Sequence, residues 1–227
     1  MIEDLKFEFC YKTEFKETFR TKTLCGQYDL NNKNIEQKFF GDFKLPKDWR
    51  IGLIVGNSGS GKTSIARNVF GEFTKCEWSD EPIIENFLKD KTMNEITQYL
   101  GYVGFNSVPY WLKKFSVLSN GEKSRVELAR MASEKDLVVY DEFTSMVDRD
   151  VAKSMANSVQ KLFRKNNKNF VAVTCHKDLN EWLKPDWIYD TDQKEFFVGK
   201  SQGAKSSNSE SSELREINGS STRSITI

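Results

Sequence analysis

The sequence predicts an α/β fold in which a mostly parallel sheet is flanked by helices, with an antiparallel subdomain at the N-terminus. Three short apolar runs, at 51–55, 137–140 and 170–174, have the composition of strands buried on both faces. Helix-like stretches separate these runs, and that alternation is typical of a parallel sheet. Residues 1–50 instead alternate aromatic and charged side chains, which indicates antiparallel strands with one buried face.

The N-terminal 50 residues carry the aromatic side chains expected of such strands. These are Phe7, Phe9, Tyr11, Phe15, Phe19, Phe39, Phe40 and Phe43. Their period-two spacing places several rings on one face of a sheet. Turns are predicted at 31–34, where asparagines cluster, and at 45–48, where a proline follows a leucine.

The stretch after the first apolar run and its helix is expected to hold only short elements. The predicted elements are a short strand and turn at 71–82 and helices at 83–89, 93–100 and 109–115. Thr92 and Glu95 have the spacing of a capping box at the start of the helix at 93–100. The helix at 109–115 is aromatic and basic, and we expect it to be amphipathic.

The second half of the chain carries longer elements and ends in a polar segment. Helices are predicted at 121–133 and 151–166, and two further short elements follow at 178–183 and 187–189. From about residue 200, Ser, Asn, Gly and charged residues replace bulky apolar residues. Such a segment buries too little apolar surface to offset its ordering entropy. We therefore expect one domain at 1–199 and a Ser-rich disordered tail at 200–227.

Composition limits the classes of function. The chain has 227 residues, and its 34 Lys and Arg nearly balance its 33 Asp and Glu, which argues against a strongly basic nucleic-acid binder. The four cysteines have no paired spacing, which fits reduced thiols in a cytoplasmic protein. No signal peptide opens the chain, and no run approaches the roughly 20 apolar residues needed to cross a bilayer. A cytoplasmic location without direct membrane insertion is expected.

A glycine-rich loop directly after the first apolar run is the strongest functional signal. We call it the phosphate loop; it consists of Gly56, Asn57, Ser58, Gly59, Ser60, Gly61, Lys62, Thr63 and Ser64. Strand, loop, Lys-Thr and helix in this order are the pattern of a nucleotide phosphate site, because glycines let backbone N–H groups turn inward and the helix begins with a positive end. Lys62 is predicted to reach the β- and γ-phosphates, Thr63 to ligate Mg²⁺, and Ser64 to donate to an α-phosphate oxygen.

The second apolar run ends in two carboxylates, Asp141 and Glu142. Beside a phosphate loop, Asp141 is predicted to hold Mg²⁺ through water, and Glu142 to polarise an attacking water. Adjacent carboxylates at a strand end are otherwise plain solvated surface. The catalytic interpretation therefore depends on the phosphate loop.

Further motifs complete an ordered series. Ser119, Asn120, Gly121 and Glu122 follow a leucine and would by themselves be an ordinary helix start, with Ser119 as the cap and Glu122 at the third helical position. Residues 141–148 read Asp-Glu-Phe-Thr-Ser-Met-Val-Asp, and His176, the single histidine, follows the third apolar run. Phosphate loop, Leu-Ser-x-Gly-Glu, Asp-Glu-x-Thr-Ser-x-x-Asp and histidine in this order resemble the ABC-type ATPase family, with Phe143 where proline is usual.

The resemblance covers about residues 20–198 and implies a P-loop NTPase fold of the ABC type. It implies that two copies pack head to tail with two ATP molecules and Mg²⁺ between them. Lys62, Thr63, Asp141, Glu142 and the switch histidine His176 would act on one nucleotide. Ser119 and Gly121, within the signature that also holds Asn120 and Glu122, would reach the γ-phosphate bound by the other subunit, and Asp148 would connect the two sites.

An aromatic residue that stacks on adenine usually precedes the phosphate loop in this family. Tyr28 is the first candidate and Phe19 the second, although either residue equally suits packing against a sheet.

The sequence departs from the transporter members of the family. They carry a glutamine that contacts the metal at the end of a strand before the signature. Here Gln98 lies upstream of that place, and Asn106 is the nearest residue that would replace the glutamine as a metal contact. The segment between the phosphate loop and the signature is short, so the helical subdomain is expected to be reduced. The chain also resembles the ATPase half of phage and bacterial proteins that join an ABC-type module to an acetyltransferase-like domain, over 51–62, 103–120 and 138–148, and over 175–176 with 181–187.

These observations predict a soluble, ATP-hydrolysing ABC-type ATPase that works as an ATP-driven homodimer. The resemblance to the phage and bacterial proteins suggests a phage-encoded ATPase that is coupled to DNA or to a modifying enzyme. Two alternatives stay open: the ATP-binding subunit of a transporter, and a binding module in which ATP switches partner contacts with little turnover. The basic stretch at 161–168 suits contact with DNA phosphates or a solvated helix end.

Overall fold

The structure is a computed structural model that describes residues 3–28, 34–73 and 75–199. The predicted tail at 200–227, and all but the last residue of the predicted turn at 31–34, lie outside these ranges.

Two sheets form the β structure. Strands β1 (Glu3–Glu14) and β2 (Asn34–Leu45) make an antiparallel two-stranded sheet, which confirms the strands expected from the aromatic alternation. The second sheet contains β3 (Ile51–Val55), β4 (Leu137–Tyr140), β5 (Asn169–Thr174), β6 (Trp187–Asp190) and β7 (Glu195–Val198) in the order β4-β5-β3-β6-β7. Strands β3 to β6 are parallel, and β7 is antiparallel to β6. The mostly parallel sheet predicted from the sequence is therefore present.

The central strand β3 is buried on both faces, as its continuous apolar run predicts. Ile51, Leu53 and Val55 belong to one core, on the side of the helices that carry Leu100, Leu128 and other apolar residues. Ile54 belongs to the other core, together with Phe43 of β2. The antiparallel sheet thus covers the face of the parallel sheet opposite most helices.

Seven helices lie within the described residues. They are α1 (Phe19–Gln27), α2 (Lys62–Phe70), α3 (Met93–Tyr102), α4 (Val108–Trp111), α5 (Asn120–Glu134), α6 (Arg149–Lys165) and α7 (Leu179–Leu183), with 3₁₀ turns at Ile83–Asn86 and Phe115–Val117. Helix α3 begins with the predicted capping box, in which Glu95 N–H donates to the Thr92 hydroxyl and Thr92 N–H donates to the Glu95 carboxylate. Helices α5 and α6 begin and end within two residues of the sequence prediction, and α7 lies within the short element expected at 178–183.

Two elements were not predicted. Helix α1 interrupts the aromatic alternation, because the Thr18 hydroxyl caps it and it has no buried residue that would give a helical apolar pattern. Strand β7 is only four residues long and completes a hairpin with β6.

Three elements predicted from the sequence differ from those in the structure. Residues 71–82 form no strand among the described residues, because side chains and not a β ladder attach them: Trp78 stacks on Phe115 with ring centroids 4.2 Å apart, and Arg130 of α5 donates to the Glu77 carbonyl at 2.6 Å. The helices expected at 83–89 and 109–115 shrink to a 3₁₀ turn and to the four-residue α4. The region before α5 is accordingly a set of short pieces, as a reduced helical subdomain requires.

Candidate functional site

The phosphate loop joins β3 to the N-terminus of α2. Gly59 and Gly61 have φ angles of 80° and 86°, in the left-handed region that non-glycine residues rarely adopt. A Cβ atom on Gly61 would also overlap the ring of Phe39 in β2. Gly61 directly precedes α2, so the unpaired N–H groups and the positive end of that helix face the loop.

The loop forms one wall of a cavity of about 350 Å³. Ser58, Gly59, Gly61, Lys62, Thr63 and Ser64 line it, so six of the nine predicted loop residues face one space. Asp141 and Glu142 line the same cavity from the end of β4. The structure therefore brings together the two halves of the predicted site, which are far apart in the chain.

The Thr63 hydroxyl and the Asp141 carboxylate meet directly at this cavity. Thr63 Oγ1 donates to Asp141 Oδ1 at 3.2 Å. Asp141 Oδ1 also accepts the backbone N–H of Glu142 at 3.0 Å, which fixes the orientation of the carboxylate. A hydroxyl and a carboxylate oxygen at this separation are ligands that Mg²⁺ accepts together with water and nucleotide phosphates.

The backbone at the two carboxylates is strained. Glu142 and Thr144 have φ angles of 52° and 68° although neither is glycine. The N–H of Phe143 donates to the Val173 carbonyl of β5 at 3.0 Å, and the Phe143 ring is fully buried. The phenylalanine that stands in the usual proline position thus ties this turn to the sheet, and strain of this kind is often found at functional sites.

Lys62 lines the cavity, and its ammonium group bonds back to the loop. Lys62 Nζ donates to the Asn57 carbonyl at 2.5 Å. Asn57 and Ser60, in contrast, do not line the cavity and bond to residues that follow β6. Gly56 is packed against the same segment, since a Cβ atom there would overlap Thr191.

The signature residues lie at the start of α5 and outside this cavity. The Ser119 hydroxyl accepts the N–H of Glu122 at 3.3 Å, and the Glu122 carboxylate accepts the N–H of Ser119 at 2.9 Å. This is the capping box expected of an ordinary helix start. Asn120 begins the helix, and a Cβ on Gly121 would lie 3.1 Å from Val147, the neighbour of Asp148.

Asp148 and His176 also lie outside the cavity lining. The Asp148 carboxylate caps α6 by accepting the N–H of Val151 at 2.9 Å. His176 is half-buried after β5, and its backbone N–H donates to the Thr174 hydroxyl at 3.2 Å. Thr174 and Cys175 line the cavity, so the histidine directly follows two lining residues.

Two further candidates are not brought to the cavity. Tyr28 ends α1 and is 71% exposed, because residues 19–27 form a helix and not a strand of the aromatic sheet. Phe19, the second candidate, is 86% exposed at the start of the same helix. Asn106 is exposed after α3 and does not line the cavity. Their proposed roles stay predictions that this geometry does not favour.

The cavity has lining residues that the sequence did not identify. Tyr11 of β1 and Gln37 and Phe39 of β2 also line it, and Tyr11 is 51% exposed. Tyr11 pairs with Gln37 across the antiparallel ladder. The aromatic alternation located Tyr11 and Phe39 on a strand face, but only the packing of that sheet onto Gly61 brings them to the phosphate loop.

The donor set is compatible with Mg²⁺ held partly by its substrate. No group of three or more His, Cys, Asp and Glu side chains that would hold a metal by itself occurs in the described part of the chain. Mg²⁺ at nucleotide sites is usually bound by one or two protein oxygens, waters and phosphates. Thr63 and Asp141 supply that smaller number.

Comparisons with known proteins find ATP-binding proteins that are similar to this chain. The energy-coupling factor transporter ATP-binding protein EcfA1 of Leuconostoc mesenteroides is 25% identical over 197 residues, which cover 67% of this chain and 71% of the relative. The protein of the same name from Staphylococcus aureus is 25% identical over 187 residues, covering 64% and 68%. No protein-family model matches the chain.

Solved structures show the fold. A dimeric post-hydrolysis structure of the ATP-binding cassette MJ0796 bound to ADP and Pi has a TM-score of 0.53 at 14% identity, covering 68% of this chain and 87% of that one. A bacterial Atm1-family ABC exporter with ATP bound has a TM-score of 0.51 at 16% identity, covering 68% and 34%. The chain therefore has the fold of a P-loop, ABC-type ATPase domain. No helix within residues 3–28, 34–73 and 75–199 is long and apolar enough to cross a bilayer.

Proposed function

We propose that this chain is an ABC-type ATPase that binds ATP with Mg²⁺, hydrolyses it, and works as an ATP-driven head-to-tail dimer. One observation carries the proposal: the Thr63 hydroxyl meets the Asp141 carboxylate in a cavity that the phosphate loop and Glu142 also line. This combination supplies a phosphate cradle, oxygen ligands for a cation and a base within one space.

Each of these groups has a role in phosphoryl transfer to water. The loop N–H groups and Lys62 would bind and orient the phosphates, and Thr63 and Asp141 would hold Mg²⁺. When bound, Mg²⁺ neutralises charge on the phosphate oxygens. Glu142 would accept a proton from the water that attacks the γ-phosphorus in line with the leaving oxygen. Positioning and charge neutralisation supply most of the catalysis in such sites.

The base of the nucleotide would lie against the N-terminal sheet. Tyr11 is the half-exposed aromatic side chain of the cavity, and Gln37 beside it offers an amide donor and acceptor. This placement supports Tyr11 over Tyr28 as the residue that stacks on adenine.

The proposed dimer accounts for the signature residues. Ser119 and Gly121 lie outside their own chain's cavity, and a head-to-tail partner would place them at the γ-phosphate of the second site. Donors that contact the γ-phosphate only while it is attached would loosen the dimer after hydrolysis. Asp148 lies one residue from Val147, which packs near Gly121, so it is well placed to connect the two sites.

The first test compares nucleotide binding and turnover in two variants. We expect Lys62→Ala to weaken Mg·ATP binding by at least about tenfold, because it removes a charged hydrogen-bond donor to phosphate. Glu142→Gln should bind Mg·ATP normally and lose roughly 10²–10⁴-fold in kcat, because the general base is removed. Binding is measured by titration calorimetry and turnover by phosphate release.

Two controls make this test specific. Excess EDTA should abolish turnover of the wild-type protein, since the cation ligands need Mg²⁺. Lys44→Ala removes a lysine of β2 outside the cavity lining and should change neither quantity. Unchanged hydrolysis by Lys62→Ala would contradict the proposal.

Two partner classes compete for the work that hydrolysis performs. The similar proteins named as energy-coupling factor transporter ATP-binding proteins favour a role as the ATP-binding subunit of a transporter. The second class is DNA or an enzyme that modifies it, for which the basic stretch at 161–168 is the sequence signal, although Arg164 of that stretch pairs with Asp186. Co-purification with a membrane protein would support the first role, and DNA binding that weakens steeply with salt would support the second.

A further inference from the structure

A turn after β6 is built onto the outer side of the phosphate loop. The Asp192 carboxylate accepts the N–H of Asn57 with its two oxygens at 2.9 and 3.1 Å. Thr191 is buried, and its hydroxyl lies 2.6 Å from the Ser60 hydroxyl and donates to the Val55 carbonyl at 3.1 Å. The turn therefore contacts the loop at its start and in its middle. We call residues 190–192 the buttress turn.

A lysine connects the buttress turn to the loop of the switch histidine. Lys177, directly after His176, lies 3.0 Å from the Asp190 carboxylate and 3.5 Å from that of Asp192. Asp190 also accepts the N–H groups of Asp192 and Gln193, which closes the turn. The Asp190 hydrogen bond raises the pKa of Lys177. Burial alone would raise the pKa of Asp190, but its bonds to Lys177 and to the two N–H groups outweigh burial and lower it.

We propose that Asp192 is a positioning residue for the phosphate loop, and that Lys177 offsets its charge and joins that loop to the switch-histidine loop. The inference deepens the proposed function and rests on it. Neither residue belongs to the ordered motifs of the sequence, and neither lines the cavity.

The geometry divides the work of the loop between its two sides. Asn57 turns its N–H outward to Asp192, while Ser58, Gly59, Gly61 and Lys62 face the cavity. A charged acceptor makes a stronger bond than a neutral one, so Asp192 fixes the first turn of the loop before any phosphate arrives. Preorganisation of the loop in this way raises ligand affinity, because the loop loses less conformational freedom when the ligand binds.

The same carboxylate carries an electrostatic cost that Lys177 relieves. Asp190 and Asp192 place two negative charges behind a site for a polyanion, and their repulsion would weaken nucleotide binding. Among the described residues, Lys177 is the cation paired with both. Removing Lys177 should therefore harm binding through charge, whereas removing the Asp192 acceptor should harm it through loop order.

The experiment measures affinity for the magnesium complex of β,γ-imido-ATP, which is not hydrolysed. We expect Asp192→Ala to weaken binding about tenfold, because it leaves the Asn57 N–H without its charged acceptor. Asp192→Asn retains an acceptor oxygen and should lose about threefold or less. The matched control is Glu195→Ala, in the same hairpin, whose carboxylate makes no hydrogen bond or ion pair within the described residues.

A double substitution separates positioning from simple loss of structure. Lys177→Gln should weaken binding severalfold at low salt and less at high salt, since screening reduces the repulsion. Adding Asp192→Asn to Lys177→Gln should recover most of the loss, because it removes one of the two repelling charges. Damage to the fold alone would make the two losses add. The kcat of ATP hydrolysis should fall in Lys177→Gln and stay low in the double variant, because the ion pairs that join the loop of His176 to the buttress turn are absent from both.

The outcomes distinguish this inference from the proposed function. If the wild-type protein binds the probe and Lys62→Ala does not, the proposed function stands. In that case, wild-type affinity of Asp192→Ala for the probe would contradict the positioning role of Asp192. Losses of affinity that add in the double variant would contradict the charge-offsetting role of Lys177. If the wild-type protein fails to bind the probe, the proposed function itself is wrong.

Discussion

At the scale of single residues, glycines mark where backbone and side chains approach too closely for a Cβ atom. Gly52 is the second residue of β3 and lies against the fully buried ring of Trp187, so a Cβ there would overlap that ring. Gly61 meets Phe39 in the same way and also has a positive φ. The glycine pattern of the phosphate loop was readable from the sequence. The need for Gly52 was not, because it depends on a tryptophan far along the chain.

Gly52→Ala tests this close packing. We expect the free energy of unfolding to fall by about 1–3 kcal/mol, the usual cost of an added methyl group in a filled core. Urea unfolding followed by tryptophan fluorescence measures it. Gly26→Ala is the control, because a Cβ at Gly26 in α1 meets no atom within 4 Å and alanine is the better helix former. An equal loss in both variants would argue against the Trp187 contact.

At the scale of elements, the signature residues have a structural function in addition to the one we propose. Ser119 and Glu122 close a capping box that starts α5, so the helix start predicted from the sequence is confirmed, while the signature role stays a prediction. Position in the ordered series of motifs, and not local chemistry, distinguished them from any other helix start. A substitution there changes the stability of α5 as well as contacts with a partner subunit.

Glu122→Ala separates these effects through pH. The Ser119 N–H donating to the carboxylate lowers the pKa of Glu122 below its ordinary value of 4.5. A lowered folded-state pKa stabilises the protein above the unfolded-state value, and this contribution is lost as pH falls through the folded-state pKa. We expect Glu122→Ala to lower the free energy of unfolding by about 0.5–1 kcal/mol at pH 7.

The difference in free energy of unfolding between Glu122→Ala and wild type should become smaller as pH falls below about 4.5, because the wild-type carboxylate then becomes protonated. Urea unfolding at pH 7, 5 and 3.5 measures this difference. Glu8→Ala, at an exposed strand position whose side chain makes no hydrogen bond or ion pair within the described residues, should show no such narrowing. A difference that is constant with pH would show that the carboxylate charge does not stabilise α5.

At the scale of the whole molecule, each chain holds the phosphate loop and both carboxylates but not the signature residues at its cavity. This arrangement makes nucleotide the expected link between two copies. The described structure accounts for one half of the proposed site, and the solved cassette with ADP and Pi that resembles it is itself dimeric.

Light scattering on Glu142→Gln tests the dimer. We expect a mass of one chain, 26.3 kDa, without nucleotide and twice that value with Mg·ATP, because a protein without its base retains the γ-phosphate that joins the subunits. Adding Lys62→Ala to Glu142→Gln should abolish the change. A variant that binds Mg·ATP but keeps the mass of one chain would contradict a homodimer and indicate that a different cassette completes the site.

The sequence by itself determined the parallel sheet, the phosphate loop, the two carboxylates and the order of the motifs. These are local features, because each depends on the periodicity or spacing of residues close together in the chain. Tertiary structure decided which aromatic side chains reach the cavity, and it favoured Tyr11 and Phe39 over Tyr28. It also placed Asp192 behind the phosphate loop. Such contacts arise where separate strands pack together, so no spacing within one segment encodes them.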